Sequence, residues 1–403
     1  MPTPAAETTR RIALYYGAAF SIFGLTMPFF NVWLDSVGLS VREIAAVSIT
    51  GGLLRLVCGP LLAFFADRHQ AHPTMLICVG WTAAAAWLAM TFSASFWPIL
   101  LAHLVVSGAM SGIVPLIETI AMANVRALGL DYGRMRLWGS VTFIVGSIGG
   151  GWLVEWRGIG IVVFLMLGAA IAGALVGHLL PHRPTADGPQ RARLDPRDAL
   201  ALLRSPVIVL FLAAAGAVQG AHAMLYVYGP LHWRQSGISA GWAGALWATS
   251  VIIEIGLFAF AARLVARWGA TAFITAGAVA SVVRWAMMAL EPPLLVQFPL
   301  QALHALTYAA SHLGAMHFLS RAVPDRQAGT AQALYAAVVS VTSLIATELA
   351  SRAFVVSGGR AYFAMAVIAL AAAVCAVALA RRWDGGLLAI GRSAQPQSSP
   401  DAG

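Results

Sequence analysis

The sequence predicts an all-α membrane protein with about twelve transmembrane helices arranged as two six-helix bundles. Three observations lead there. Of 403 residues, 60% are hydrophobic and 10% charged, whereas soluble domains average about 25% charged. The apolar residues fall in runs of roughly 20, the length at which a helix crosses the hydrocarbon core with every backbone polar group satisfied inside the segment. A single polar stretch interrupts these runs near the middle of the chain.

Taken in order, the first span is predicted over 12–34. Arg10 and Arg11 precede an apolar run too long for a signal-peptide core and without a cleavage site, so this span is read as retained. The next five cover 41–66, 74–93, 97–123, 137–156 and 160–180. Gly108 and Gly112 in the fourth, and Gly139, Gly146 and Gly150 in the fifth, are small residues that let helices approach closely. Pro, Asp and Arg dominate 182–205, which reads as a cytoplasmic linker between bundles 1–181 and 206–382. The second bundle comprises spans over 206–232, 240–262, 270–290, 294–320, 331–355 and 360–380. The tail, 383–403, rich in Ser, Pro, Gln and Gly, is expected to be disordered.

The net charge of +9 comes entirely from arginine, because the chain contains no lysine. A nucleic-acid binder would gather these residues into a patch or stripe, but here they are scattered between apolar runs. With residue 1 on the inside, 18 of the 25 cations fall in inside segments. Outside loops and helix ends hold Arg42, Arg157, Arg234, Arg352 and Arg360, while Arg55 and Arg284 sit within spans. This asymmetry obeys the positive-inside rule and puts both termini in the cytoplasm, which an even number of spans satisfies. Cys58, Cys78 and Cys375 all fall inside spans, indicating neither a disulfide framework nor a metal site.

Ionisable side chains at mid-bilayer cost on the order of 3 kcal/mol each, so each is a functional candidate. Arg55 lies about 18 Å from the inner end of its helix, counting twelve residues back from Asp67 at 1.5 Å each. Glu254 and Arg284, in neighbouring spans, are placed to form an ion pair that either holds the fold or breaks on protonation. His304, Tyr308, Ser311 and His312 follow i, i+4, i+7, i+8, a polar stripe along one helix face suited to proton exchange near neutral pH. Gln219, His222 and Tyr226 share a face of the seventh span and form either a cavity wall or a helix-to-helix hydrogen-bonding strip. Glu118 in the fourth span and Arg136 at the start of the fifth complete the candidates. Asp67 and Arg68, at the turn after the second span, are expected to form a conformational latch. Glu348 and Arg352 have the spacing of a local structural pair.

The run Asp131-Tyr132-Gly133-Arg134-Met135-Arg136-Leu137-Trp138-Gly139-Ser140, with Gln219-Gly220-Ala221-His222-Ala223, Arg284-Trp285 and His304 through His312, resembles the phenylpropionate permease branch of the major facilitator superfamily. The resemblance runs from about residue 10 to 382. It implies the major facilitator fold and a secondary transporter of the bacterial inner membrane, functional as a monomer. Such a carrier takes a small organic solute such as an aromatic carboxylate, with protons as coupling ion and no other cofactor. A more distant likeness is to lactose permease, in which a Glu and an Arg 18 residues apart bind sugar, as Glu118 and Arg136 are spaced here. It maps Glu254, Arg284 and His304 onto substrate binding and proton coupling. Thr307 stands where that carrier has its proton-carrying Glu, which leaves the proton site unassigned. Phe143 replaces its sugar-stacking Trp, which argues against a galactoside. A sugar or nucleoside symporter, a drug-efflux antiporter and a transporter-like sensor are the alternatives. An enzyme is not expected, since neither metal-spaced ligands nor a Gly-x-Ser-x-Gly elbow is present.

Overall fold

The computed structural model describes residues 4–181 and 196–388, which form helices and short turns with no strand among them. The first bundle contains α1 (Pro4–Ser36), α2 (Val41–Arg68), α3 (His72–Thr91), α4 (Phe96–Met110), α5 (Ile113–Leu128), α6 (Tyr132–Arg157) and α7 (Ile161–Gly177). A short helix, α8 (Pro196–Leu203), leads into α9 (Pro206–Gly220), α10 (Ala223–Gln235), α11 (Ala240–Trp268) and α12 (Ala270–Met288). Then come α13 (Leu294–Ala302), a π-helical turn Ala305–Ala310, α14 (Ser311–Ala322), α15 (Ala328–Ser357) and α16 (Tyr362–Arg382).

Among the described residues, nine helical stretches are long and apolar enough to cross a bilayer, one of them running through both α15 and α16. Setting α8 aside and joining α4 to α5, α9 to α10 and α13 to α14 leaves twelve rods, at the places the hydropathy predicts. Local chemistry fixes the ends. Ser40 and Glu43 form a reciprocal capping box that starts α2, and Asp131 accepts a hydrogen bond from the Arg134 amide to start α6. Gly129 closes α5 in the left-handed region at φ +66°, where a Cβ would be strained.

Three spans predicted as continuous are broken. The fourth kinks at Ser111–Gly112, the seventh at Ala221–His222, and the tenth passes through the π turn. The first span begins at Pro4, eight residues before its predicted start, because Glu7 and Arg11 pair one turn apart and carry the helix past the apolar run. Residues 182–195 of the expected linker and 389–403 of the expected disordered tail lie outside the described residues. The remainder of both segments departs from expectation: α8 buries Leu202, and its Asp198 accepts a 2.6 Å bond from Gln327. The Trp383 ring packs on Phe318, and the Leu388 amide donates to the Ala322 carbonyl, so 383–388 are held against the second bundle.

The two bundles meet at one end only. At the face carrying the turns 37–39 and 236–239, here called the far face, one apolar core runs through both, joining Phe30, Trp33 and Ile44 to Met224, Tyr228 and Trp233. Toward the opposite face, which carries residue 4 and α8, the core divides in two. One part contains Tyr16, Leu116 and Met135, the other Phe211, Phe318 and Leu379. A cleft therefore separates the bundles and opens on the face that carries the linker. Asn31 Nδ2 donates to the Val227 carbonyl, Tyr228 Oη to Val41, the Gly241 amide to Glu155, and Arg234 pairs with Asp35, all at the far face. There α6 and α11 approach so closely that a Cβ on Gly244 would strike the Ser147 carbonyl, and one on Gly151 would lie 2.5 Å from that of Ala240.

Candidate functional site

A polar network occupies the second bundle beside the cleft, where α10, α11, α12 and the π turn converge. Arg284 on α12 is fully buried. Its Nη1 donates to Thr307 Oγ1 at 2.9 Å and to His304 Nδ1 at 3.3 Å, its Nη2 donates to Gln301 Oε1 at 2.8 Å, and the guanidinium lies 4.6 Å from the centre of the Trp285 ring. Arginine only donates, so both His304 Nδ1 and Thr307 Oγ1 must accept. The neutral His304 ring therefore carries its proton on Nε2, which points at Glu254 Oε2, 3.7 Å away. Thr307 in turn donates to His222 Nε2 at 3.1 Å, while His222 Nδ1 donates to the Val218 carbonyl at 3.0 Å. The geometry fixes one tautomer for each imidazole.

The direct Glu254–Arg284 pair expected from the sequence does not form. The imidazole of His304, just ahead of the π turn, stands between the two charges, bonded to Arg284 on one side while Glu254 approaches from α11 on the other. The predicted stripe on the tenth span forms in part. The rings of His304, Tyr308 and His312 stack in a column with centroids 5.1 and 6.4 Å apart, and Tyr335 Oη lies 3.5 Å from His312 Nδ1. Ser311 leaves the column, accepting a hydrogen bond from Gln219 Nε2 and packing against Gly277. Gln219 thus ties α9 to α14, while His222 and Tyr226 stack face to face beside the cleft.

In the first bundle, Glu118 accepts a 3.1 Å bond from Tyr132 Oη and lies 3.9 Å from Arg136 Nε. The Arg136 guanidinium caps the Phe20 ring at 4.0 Å. Glu118, Arg136 and Glu254 keep side-chain exposures of 29%, 32% and 22%, so none of the three is sealed in a core. Arg55, exposed on α2, sits deeper in its own helix, near His103. Asp67 bonds His72 Nε2 at 2.8 Å, securing the α2–α3 turn, and Arg68 is exposed beside it. Glu348 and Arg352 form the expected local pair at 2.7 Å.

Sequence reasoning missed Gln301, Tyr132 and Phe20 and counted Thr307 only as a departure from a relative. For Gln301 and Thr307 a signal existed: each lies three residues from His304, one helical turn away.

The pattern of the MFS_1-like family matches residues 9–351. The chain is 32% identical to the probable 3-phenylpropionic acid transporter of Escherichia coli (strain K12) over 381 residues, 91% of this chain and 96% of that one. It is 25% identical to the maltose permease of Geobacillus stearothermophilus, covering 83% and 84% of the two chains. Solved structures of the nucleoside transporter NupG superpose with TM-scores of 0.79 and 0.76 at 17% identity, over 93% of this chain and 98% or more of theirs.

Proposed function

This chain belongs to the MFS_1-like family of major facilitator transporters, and from that premise we propose that it takes up a small organic acid, such as an aromatic carboxylate, together with a proton by alternating access. The orientation follows from the arginine asymmetry: the linker face is cytoplasmic, both termini are inside, and the bacterial inner membrane is the location. The cleft then opens to the cytoplasm and the far face is the closed outer gate. Asp67 and Arg68, at the inner turn, act as a latch when the bundles rock, and one chain suffices for transport.

The observation that carries the coupling is the order Glu254, His304, Arg284. A carboxylate facing the cleft meets an imidazole N–H whose other nitrogen is held by a buried cation. Arg136 is partly exposed in the opposite bundle, as Glu254 is in its own, so a change in the cleft's width changes what the negative charge on Glu254 is worth. A proton on Glu254 therefore binds the open and closed states with different affinity, which is the requirement for a proton to drive anything. His304 and His312, on one ring column, supply a path for that proton along the tenth span.

The test is labelled 3-phenylpropionate uptake into proteoliposomes under an inward proton gradient. Glu254→Gln is expected to abolish gradient-driven accumulation while preserving exchange of labelled for unlabelled solute, since exchange needs no net proton movement. Accumulation that survives both Glu254→Gln and His304→Ala would remove the coupling assignment. A second reading, a sugar or nucleoside proton symporter, is supported by the Glu118–Arg136 pair, by the 25% identity to maltose permease and by the fold shared with a nucleoside transporter. Competition of the uptake by maltose or uridine in place of aromatic acids would favour it.

A further inference from the structure

Three arginines lie within the transmembrane region beside the cleft, and their surroundings differ. Arg284 has both terminal nitrogens engaged by Gln301, Thr307 and His304 and is sealed from solvent, with its Nε left without a partner among the described residues. Arg136 has Glu118 beside it and Phe20 beneath it. Arg55 has no acidic partner among the described residues, yet it stands near the middle of α2, about 18 Å from the inner end of that helix. An uncompensated cation at that depth is among the most costly placements a membrane protein makes, and such residues mark substrate or ion paths.

The position of the guanidinium identifies the surface it serves. Arg55 Nη2 lies 3.8 Å from the point where a Cβ on Gly52 would stand, and Leu344 of α15, in the other bundle, reaches within 2.9 Å of the same point. The charge therefore reaches the seam between the bundles. One residue away, Gly51 packs on the ring of His103, which stacks on Phe30 at 5.0 Å and shares a 3.0 Å hydrogen bond with Ser107 through Nε2. His103 is buried, its Nδ1 has no hydrogen-bond partner among the described residues, and its ring packs on Gly51, one helical turn before Arg55. A buried donor or acceptor left without a partner is rare in a finished fold. Here it stands close to a cation that has no acidic partner among the described residues.

Resting on the substrate class proposed above, we infer that Arg55, with His103 beside it, is the anchor for the carboxylate of the transported acid, and that Arg136 and Arg284 are not. Guanidinium binds a carboxylate through two parallel N–H···O bonds, and the imidazole can contribute a third contact. The anion would neutralise the seam at the point where Leu344 and Gly52 bring the bundles together, so its binding is coupled to their relative position.

The experiment compares 3-phenylpropionate with its uncharged amide, 3-phenylpropanamide, by calorimetric titration of the full chain in nanodiscs at neutral pH. The wild type is expected to prefer the acid. Arg55→Gln is expected to lower the affinity for the acid about ten- to a hundredfold, the loss typical of a charge-assisted hydrogen bond, while leaving the amide within about threefold. Arg55→Lys keeps the charge but loses the bidentate fork, and should fall between the two. Retained amide binding shows that the variant is folded, and the Lys variant carries the test if the Gln variant is not. A wild-type preference for the acid that Arg55→Gln leaves intact would overturn the assignment of Arg55 while the substrate class stands. Failure of the wild type to bind either compound would overturn the substrate class and the anchor with it.

Discussion

Arg284 holds together residues that would otherwise be stranded: Gln301, Thr307 and His304 each give it a lone pair, and Trp285 covers its face. Removing the side chain leaves three buried acceptors to find other donors, a penalty of about 1–3 kcal/mol for each that fails. Arg284→Ala is therefore expected to lower the melting temperature of the purified carrier by several degrees and to abolish transport. Thr307→Val is milder, breaking the bridge to His222 at a cost of about 1 kcal/mol and reducing turnover without unfolding, as thermal melts paired with uptake rates would record. Glu254, Arg284 and His304 were legible in the sequence because ionisable residues in an apolar run are conspicuous. Thr307 and Gln301 stand out less, since neutral polar residues are inexpensive in spans and common there, and only their place one turn from His304 marks them. The choice of partners was also hidden: spacing brings Glu254 and Arg284 to neighbouring helices, but only the turn of the tenth rod puts an imidazole between them.

The tenth rod owes that turn to the π segment Ala305–Ala310, one residue wider per turn than the α-helix on either side. A π turn of this kind absorbs a one-residue insertion, so removing one residue should restore a plain α-helix while the residues beyond it keep their facing. Deleting Leu306, which is exposed, is expected to keep the rod helical and apolar and leave His312 on the face of His304, while Tyr308, now three residues from His304, turns about 60° out of the column. Circular dichroism should be unchanged and proton-driven accumulation lost; full activity would show that the column is not needed. Hydropathy located the rods because water and hydrocarbon sort residues by run length alone. It did not locate the breaks at Ser111–Gly112, Ala221–His222 and 303–310; the first falls at a Ser-Gly pair four residues before Pro115, which cannot bond to the Ser111 carbonyl. Two of these breaks carry candidate residues, His222 at one and His304 at another, in keeping with transporters that build their sites on interrupted helices.

At the scale of the whole molecule, the two bundles close on each other through glycine. Gly151 and Gly244 admit backbone against backbone between α6 and α11 at the far face, and either side chain gained there would wedge the contact open. Gly244→Leu should shift the population toward a state open on that face. Spin labels on the 37–39 and 236–238 turns of a cysteine-free background would report this as a longer far-face distance, and an unchanged distance would mean the contact is not limiting. The two-bundle layout was foreseeable from the polar stretch at mid-chain, but which end is shut was not, because each bundle's sequence is compatible with either tilt. The charges named around the cleft carry one more consequence. Arg55, Arg136 and Arg284 outnumber Glu118 and Glu254 by one positive charge, and taking on one carboxylate with one proton leaves that balance untouched. A carrier that crosses with the same charge whether full or empty does no work against the membrane voltage, which otherwise weighs about 2.3 kcal/mol per charge per 100 mV. Clamping that voltage with a potassium ionophore should leave the rate of acid uptake flat, and only the difference in acidity across the bilayer would then drive accumulation.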